Sequence, residues 1–340
     1  MQNSDITNQN RIQWVDFVRA LGAFLVVLAH IQYSGAGSGL ISISYYALTR
    51  IAVPLFFMVS GYLLLSKNEP LLDFFRKRAL KVFVPFLIWS VIYLLWKEEA
   101  LDKPLLEIVK VYILKIIRGP RENHLWFFYE LFGLYLFTPI LRLYVQKAGV
   151  KDLLYFCGIW FLLVPVANLF YEFTPVKFGF SSQFLGGYIG YFIFGHLAGG
   201  FQFEKSHKYM ALILFIVGLM ATIAGMYLRQ YYKSDTQYFE DYLSVNVVLM
   251  ACSSFILIQG LAVSEKVYRF ILPLGNASFG IYLAHVIVVT EVFTIPIFAE
   301  WASRGTGIYM IPLLGVIGYF LSFLLIYLLQ RIPIIRIMVP

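Results

Sequence analysis

Charge is what this chain has least of. Asp, Glu, Lys and Arg together make 14% of its 340 residues, against 60% hydrophobic ones. Soluble globular domains carry roughly a quarter charged residues, so a water-solvated fold of this composition is excluded. Acidic residues are scarcer than basic ones, 19 against 27, which leaves a net charge of +8. The basic residues fall between apolar runs rather than in one patch, a distribution that orients membrane helices and does not bind nucleic acid. Cysteine is nearly missing: Cys157 and Cys252 both lie inside apolar runs and read as small packing residues. They supply neither a disulfide framework nor a metal site. Residues 1–13 contain no basic n-region and no small-residue cleavage site, so the first apolar run is expected to persist as a helix. A glycine-rich phosphate loop of Walker or Rossmann type is also lacking, which argues against a nucleotide-driven motor. No internal repeat of the kind found in many transporters stands out.

What is present is a succession of apolar runs, with a mean hydropathy of +0.75. The runs predict an all-α, polytopic membrane helical bundle in a single domain over 1–340, with lipid as its solvent. About ten transmembrane helices are expected, at 14–34, 48–66, 80–97, 125–145, 152–170, 183–201, 209–228, 243–263, 276–297 and 307–330. The segment 104–117 carries Lys110 and Lys115 among apolar residues and suits an interfacial amphipathic helix better than a span. Arg11, the cluster Lys67, Arg76, Lys77, Arg78 and Lys81, and later basic residues including Arg142, Arg331 and Arg336 fall on one side. Positive-inside topology then places both termini in the cytoplasm. The opposite side holds Arg50, Lys177, Arg229, Lys233 and Arg304, and one loop, Lys97 to Arg121, with six basic residues against the trend.

Within the first run, Arg19 and His30 are about three helical turns apart, so they share one face at roughly 16 Å separation. Ionisable groups at membrane depth are functional candidates by default. Asp16 precedes Arg19 by three residues, the spacing of an ion pair that offsets the cost of the arginine; the plainer reading of Arg19 is a snorkelling anchor. Arg76 and Arg78 are explained by topology alone. An Arg-x-Arg pair also matches phosphate oxygens, which would let it hold a phosphorylated carrier at a membrane entrance.

Several strings together resemble one family. They are DFVRALGAFLVVLAH containing Arg19 and His30, FFMVSGYLLL from Phe56 to Leu65, the pair Arg76 and Arg78, HLWFF from His124 to Phe128, LGGYIGYFIFG from Leu185 to Gly195, and SFGIYLAH from Ser278 to His285. Their order is similar to that of the acyltransferase-3 integral membrane acyltransferases, and the length matches short members without a soluble domain. The resemblance implies an O-acyltransferase, in a bacterial plasma membrane. It would move an acyl group, acetyl above all and succinyl as an alternative, from cytoplasmic acyl coenzyme A (acetyl-CoA) to a hydroxyl of a cell-surface glycan or lipid-linked saccharide. On that basis His30 is the expected catalytic base, with Arg19 and Asp16 in the same catalytic group, and Arg19, Arg76 and Arg78 hold the donor. Direct transfer and an acyl-histidine intermediate both remain open. No metal is expected.

Other polar residues carry paired readings. Glu130 orients His30 or reads the sugar, or else is a paired structural carboxylate; Glu291 needs a partner that the sequence does not name. His124 and Trp126 are interfacial anchors or sugar contacts. Tyr282 and His285 share a helical face, as substrate contacts or as interhelical glue. Ser60 and Gly61 read as close-packing residues, and no nucleophile-elbow context surrounds Ser60. Beside the acyltransferase stand two other classes: a glycan or small-molecule transporter or flippase, whose charges line a path, and a scaffold, whose polar groups merely lock helices.

Overall fold

The computed structural model describes residues 12–31, 39–97, 104–120, 122–176, 187–297, 300 and 307–340. Helices dominate: α1 (Gln13–Ile31), α2 (Leu40–Thr49), α3 (Ala52–Leu65), α4 (Leu71–Arg78), α5 (Val84–Trp96), α6 (Leu105–Arg118) and α7 (Trp126–Val145) form the first half. The second half holds α8 (Val150–Phe161), α9 (Ala167–Phe173), α10 (Ile189–Gly199), α11 (Lys205–Tyr232), α12 (Val245–Ile258), α13 (Glu265–Thr294) and α14 (Gly307–Gln330). Among the described residues there is no strand, as the hydropathy pattern requires: a lipid-embedded backbone must satisfy its own polar groups, and a helix does so locally.

Nine stretches among the described residues are long and apolar enough to cross a membrane, some of them built from two helices in line. The tenth expected span, 183–201, corresponds to the shorter α10 of 11 residues, and its first residues lie outside the described ones. So do Arg11, Arg121, Lys177 and Arg304. Proline accounts for two irregularities inside spans. Widened π-helical turns cover Ala79–Phe83, just before Pro85, and Leu162–Val166, around Pro165. Each absorbs the missing N–H and the ring clash that proline brings to a helix. Helix α6 is amphipathic and 14 residues long, about 21 Å, which is short of a bilayer core. Its Leu105, Leu106, Ile113 and Ile117 are exposed, as the apolar face of an interfacial helix would be.

The centre of the bundle is α1, which packs against α13, α3 and α14. Close approach depends on glycine. A Cβ on Gly275 would stand 2.8 Å from the Asp16 carbonyl oxygen, and one on Gly61 of α3 would stand 1.8 Å from the Phe192 carbonyl oxygen of α10. Small residues let backbones touch where lipid offers no hydrophobic drive for association.

Polar ties hold the loop ends. Arg142 of α7 is buried and donates Nε to the Leu64 carbonyl at 2.9 Å and a terminal nitrogen to Glu69 at 2.9 Å; Lys77 reaches the other Glu69 oxygen at 2.8 Å. Burial pushes the Glu69 carboxyl up, but the hydrogen bonds from Lys77 and Arg142 outweigh it and hold the group down at about 2. A carboxylate depressed in the folded state contributes stability that is complete above its unfolded value, roughly 4.3, and is lost as pH falls through the folded one. The thermal midpoint of the detergent-solubilised protein is therefore expected to exceed that of Glu69→Gln near neutral pH, with the gap closing between about pH 4 and 2. A gap that stays constant across that window would remove the charge from this tie.

Candidate active site

One face of α1 carries the polar pair. Arg19, Gly22, Val26 and His30 follow each other at spacings that put them on a single stripe, and the stripe looks onto α3. Arg19 lines a cavity with Phe56, a Cβ on Gly22 would meet the Phe56 ring at 3.0 Å, and Val26 and His30 line a second cavity with Ala52 and Val53. The shared face expected from the eleven-residue spacing is present.

The first cavity has a volume of about 740 Å³. Its rim is basic, with Arg19, Lys67, Arg78, Lys81 and Arg336; its depth is aromatic, with Phe56, Phe127, Phe128, Phe279 and Tyr282. The Arg78 guanidinium lies over Phe74 and Tyr135, and its Nε is buried with no hydrogen-bond partner. A buried donor left unmatched is costly unless a ligand supplies an acceptor. Arg76 is exposed and does not line this cavity, so of the expected phosphate pair the structure brings one arginine to the chamber. Lys67, Lys81 and Arg336, which the spacing argument assigned to topology, join it.

The second cavity, 200 Å³, is lined by His30, His124, Trp126, Tyr282, Arg50 and Tyr242, among others. Tyr282 lines both cavities, so the two chambers adjoin at this residue. Around this wall stand three imidazoles, with ring centroids 4.6 Å apart for His30 and His285, 5.0 Å for His124 and His285, and 6.0 Å for His30 and His124. Helix α13 fixes the arrangement. The Tyr282 hydroxyl donates to the His124 carbonyl at 2.7 Å, and Tyr93 of α5 donates to the Leu283 carbonyl at 2.8 Å.

The hydrogen bonds assign the tautomers. His285 Nδ1 faces the Tyr282 carbonyl at 2.7 Å and the Ile281 carbonyl at 3.2 Å. Carbonyls accept, so Nδ1 carries the proton and, in the neutral ring, Nε2 carries the lone pair. That Nε2 stands 3.2 Å from His30 Nδ1, which also faces the Val26 carbonyl at 2.8 Å and is therefore a donor. The lone pair of His30 is left on Nε2, on a ring that lines the second chamber. His124 is buried, and its own Nε2 has no hydrogen-bond partner. Among the described residues no group of three His, Cys, Asp or Glu is arranged to hold a metal ion.

Asp16 is buried, accepts the Tyr268 hydroxyl at 2.9 Å and lies 3.6 Å from Arg19, the expected i to i+3 pair. It stands about 21 Å along α1 from His30, with Arg19 and Tyr268 of α13 as its partners. Glu130 is exposed, lines neither chamber and lies against Gly187, whereas His285 is within hydrogen-bond distance of His30. Glu291 accepts the Trp96 indole N–H at 2.6 Å. Trp126 stacks obliquely on Tyr188 and Tyr242 at 5.4 and 5.5 Å, forming an aromatic wall of the second chamber. Arg50 beside this wall went unmarked by the spacing argument, because a lone arginine between two apolar runs looks like any loop charge.

A relative named amino-acid racemase, from Enterococcus faecalis, is 24% identical over 316 residues, which cover 84% of this chain and 42% of that protein. The chain thus spans less than half the length of that relative. No solved structure matches. The acyltransferase-3 family, described as an acyltransferase domain, matches residues 12–331, nearly the full length with its set of membrane-spanning helices, and this chain is an integral membrane protein that belongs to that family.

Proposed function

We propose that the protein transfers an acyl group, acetyl in the first instance, from coenzyme A at the basic end to a hydroxyl of a glycan or lipid-linked saccharide at the opposite end. The observation that carries this reading is the meeting of a basic chamber and a histidine-lined chamber at Tyr282. The basic rim suits phosphates, with Arg78 and Arg19 as the fork-shaped donors. The aromatic depth suits an uncharged thioester arm, which must cross several turns of α1 to come near His30. Positive-inside topology puts the basic end in the cytoplasm, where acyl coenzyme A is made, and a bacterial plasma membrane is the setting this implies.

His30 Nε2 is the base. It takes the proton of the acceptor hydroxyl as that oxygen attacks the thioester carbonyl; the new C–O bond forms, the C–S bond breaks, and the proton passes from Nε2 to the departing sulfur. Direct transfer needs no covalent enzyme intermediate. His285 holds the tautomer, because its Nε2 can accept but not donate while its Nδ1 is tied to α13 carbonyls. His124 Nε2 and the Trp126 and Tyr242 rings are placed to contact the acceptor. End-to-end chambers would also suit a carrier of glycans, and membership of an acyltransferase family favours the enzyme.

His30→Ala is expected to abolish acylation of the acceptor, with the protein still present in the membrane and still binding acyl coenzyme A. His285→Gln should lower kcat by about 10²-fold, in the range of a general-base contribution, with KM for the donor little changed. Undiminished turnover in His30→Ala would overturn the reading. A fall in donor affinity without a fall in kcat for His285→Gln would make that residue structural.

The two arginines of the Arg-x-Arg pair should separate. Arg78→Ala is expected to raise KM for acyl coenzyme A about tenfold, the worth of a charge-assisted hydrogen bond, and Arg76→Ala to change it less than twofold. Equal effects, measured with acyl coenzyme A titrated against the solubilised enzyme, would contradict the placement of the donor.

A further inference from the structure

Arg50, at the junction of α2 and α3, lines two cavities on the histidine side of Tyr282: the 200 Å³ chamber with His30, and a neighbouring 490 Å³ cleft with Arg229, Glu240 and Tyr242. Tyr46, Arg50 and Tyr242 are common to both, so the spaces adjoin. The Arg50 guanidinium sits 3.8 Å above the Tyr242 ring and 5.2 Å from that of Tyr46, and one of its terminal nitrogens donates to the Tyr46 hydroxyl at 3.2 Å. Its Nε is buried with no hydrogen-bond partner. Among the described residues no carboxylate comes within ion-pair distance of it.

The nearby acids are occupied elsewhere. Glu240 pairs with Arg229, and Asp241 accepts the Leu243 backbone N–H at 2.6 Å. Arg50 therefore keeps a full positive charge against aromatic faces, with donors unspent. Partly desolvated guanidinium groups are costly without an anion to meet them, and a planar fork over an aromatic face is a preorganised site for one.

We infer that the acceptor carries an oxyanion, a carboxylate or a phosphate, near the hydroxyl that is acylated, and that Arg50 binds this anion and sets acceptor specificity. This rests on the acyl-transfer reading and narrows it from any glycan to an acidic or phosphorylated saccharide. Arg50 anchors the anion, Trp126 and Tyr242 flank the ring, and the hydroxyl falls towards His30 across a chamber of about one sugar's dimensions. Neutral saccharides leave the guanidinium unmatched and are discriminated against.

The test uses the full chain in lipid nanodiscs, with D-glucuronate, D-glucose 6-phosphate and D-glucose as probes, and binding followed by ligand-observed NMR. Wild-type protein is expected to bind at least one anionic probe about tenfold or more tightly than glucose, the scale of a charge-assisted hydrogen bond. The preference should vanish in Arg50→Gln and return in part in Arg50→Lys, with acyl coenzyme A binding retained in both. Whichever anionic probe binds tighter identifies the carboxylate or the phosphate as the recognised group. Equal behaviour of all three probes with wild-type protein, or an unaltered preference in Arg50→Gln, overturns the inference. Failure of the acyl-transfer reading registers separately, as an absence of His30-dependent release of thiol from acyl coenzyme A.

Discussion

The contact between α1 and α13 governs everything else in the bundle. Two long helices approach until a glycine, Gly275, lies against the Asp16 backbone, and no larger residue fits at that crossing. At one end the helices are tied by the Tyr268 hydroxyl on Asp16, and at the other by His285 on His30. Lipid supplies no hydrophobic drive for this association, so close packing and a few satisfied polar pairs must hold it. The same contact sets the tautomer of His30 and aims Arg19 into the basic chamber. Structure and chemistry thus rest on a single interface.

That interface separates two environments. On one side of Tyr282 lies a chamber with a cationic rim and an aromatic throat, and on the other a smaller chamber of imidazoles, aromatic rings and one arginine. The asymmetry matches the two substrates of a transferase. A phosphorylated donor with a long uncharged arm needs charge at the mouth and little inside; an acceptor alcohol needs a base, a stacking surface and a means of recognition. The proposed base has a second imidazole, His285, hydrogen-bonded to its ring. Glu130, the acid that the linear order made attractive for this task, faces Gly187 instead.

Much of the architecture was legible because lipid leaves few options. Apolar runs had to be helices, the lysines of α6 suited an interface better than a span, and the spacing of Arg19 and His30 put them on one stripe whatever their neighbours. Gly61 read as a packing residue for the same reason that it proves to be one. What escaped the sequence was every fact that depends on which helices touch. Arg142 looked like a topology charge, yet it is buried on Glu69 and the Leu64 carbonyl. Lys67, Lys81 and Arg336 come from distant parts of the chain and converge only in the folded bundle. Arg50 carries no motif, and Glu291 finds Trp96 across 195 positions. His285 was weighed as glue between helices; it is glue, and its partner is the expected base.

The central claim is that donor and acceptor reach the histidine pair from opposite ends of the bundle. The most direct measurement places acyl coenzyme A inside sealed proteoliposomes and a membrane-impermeant acceptor outside, then follows acylation of the external acceptor by mass spectrometry. Transfer across the intact bilayer is expected, and it is lost in His30→Ala. Transfer confined to vesicles with donor and acceptor on the same side would contradict it.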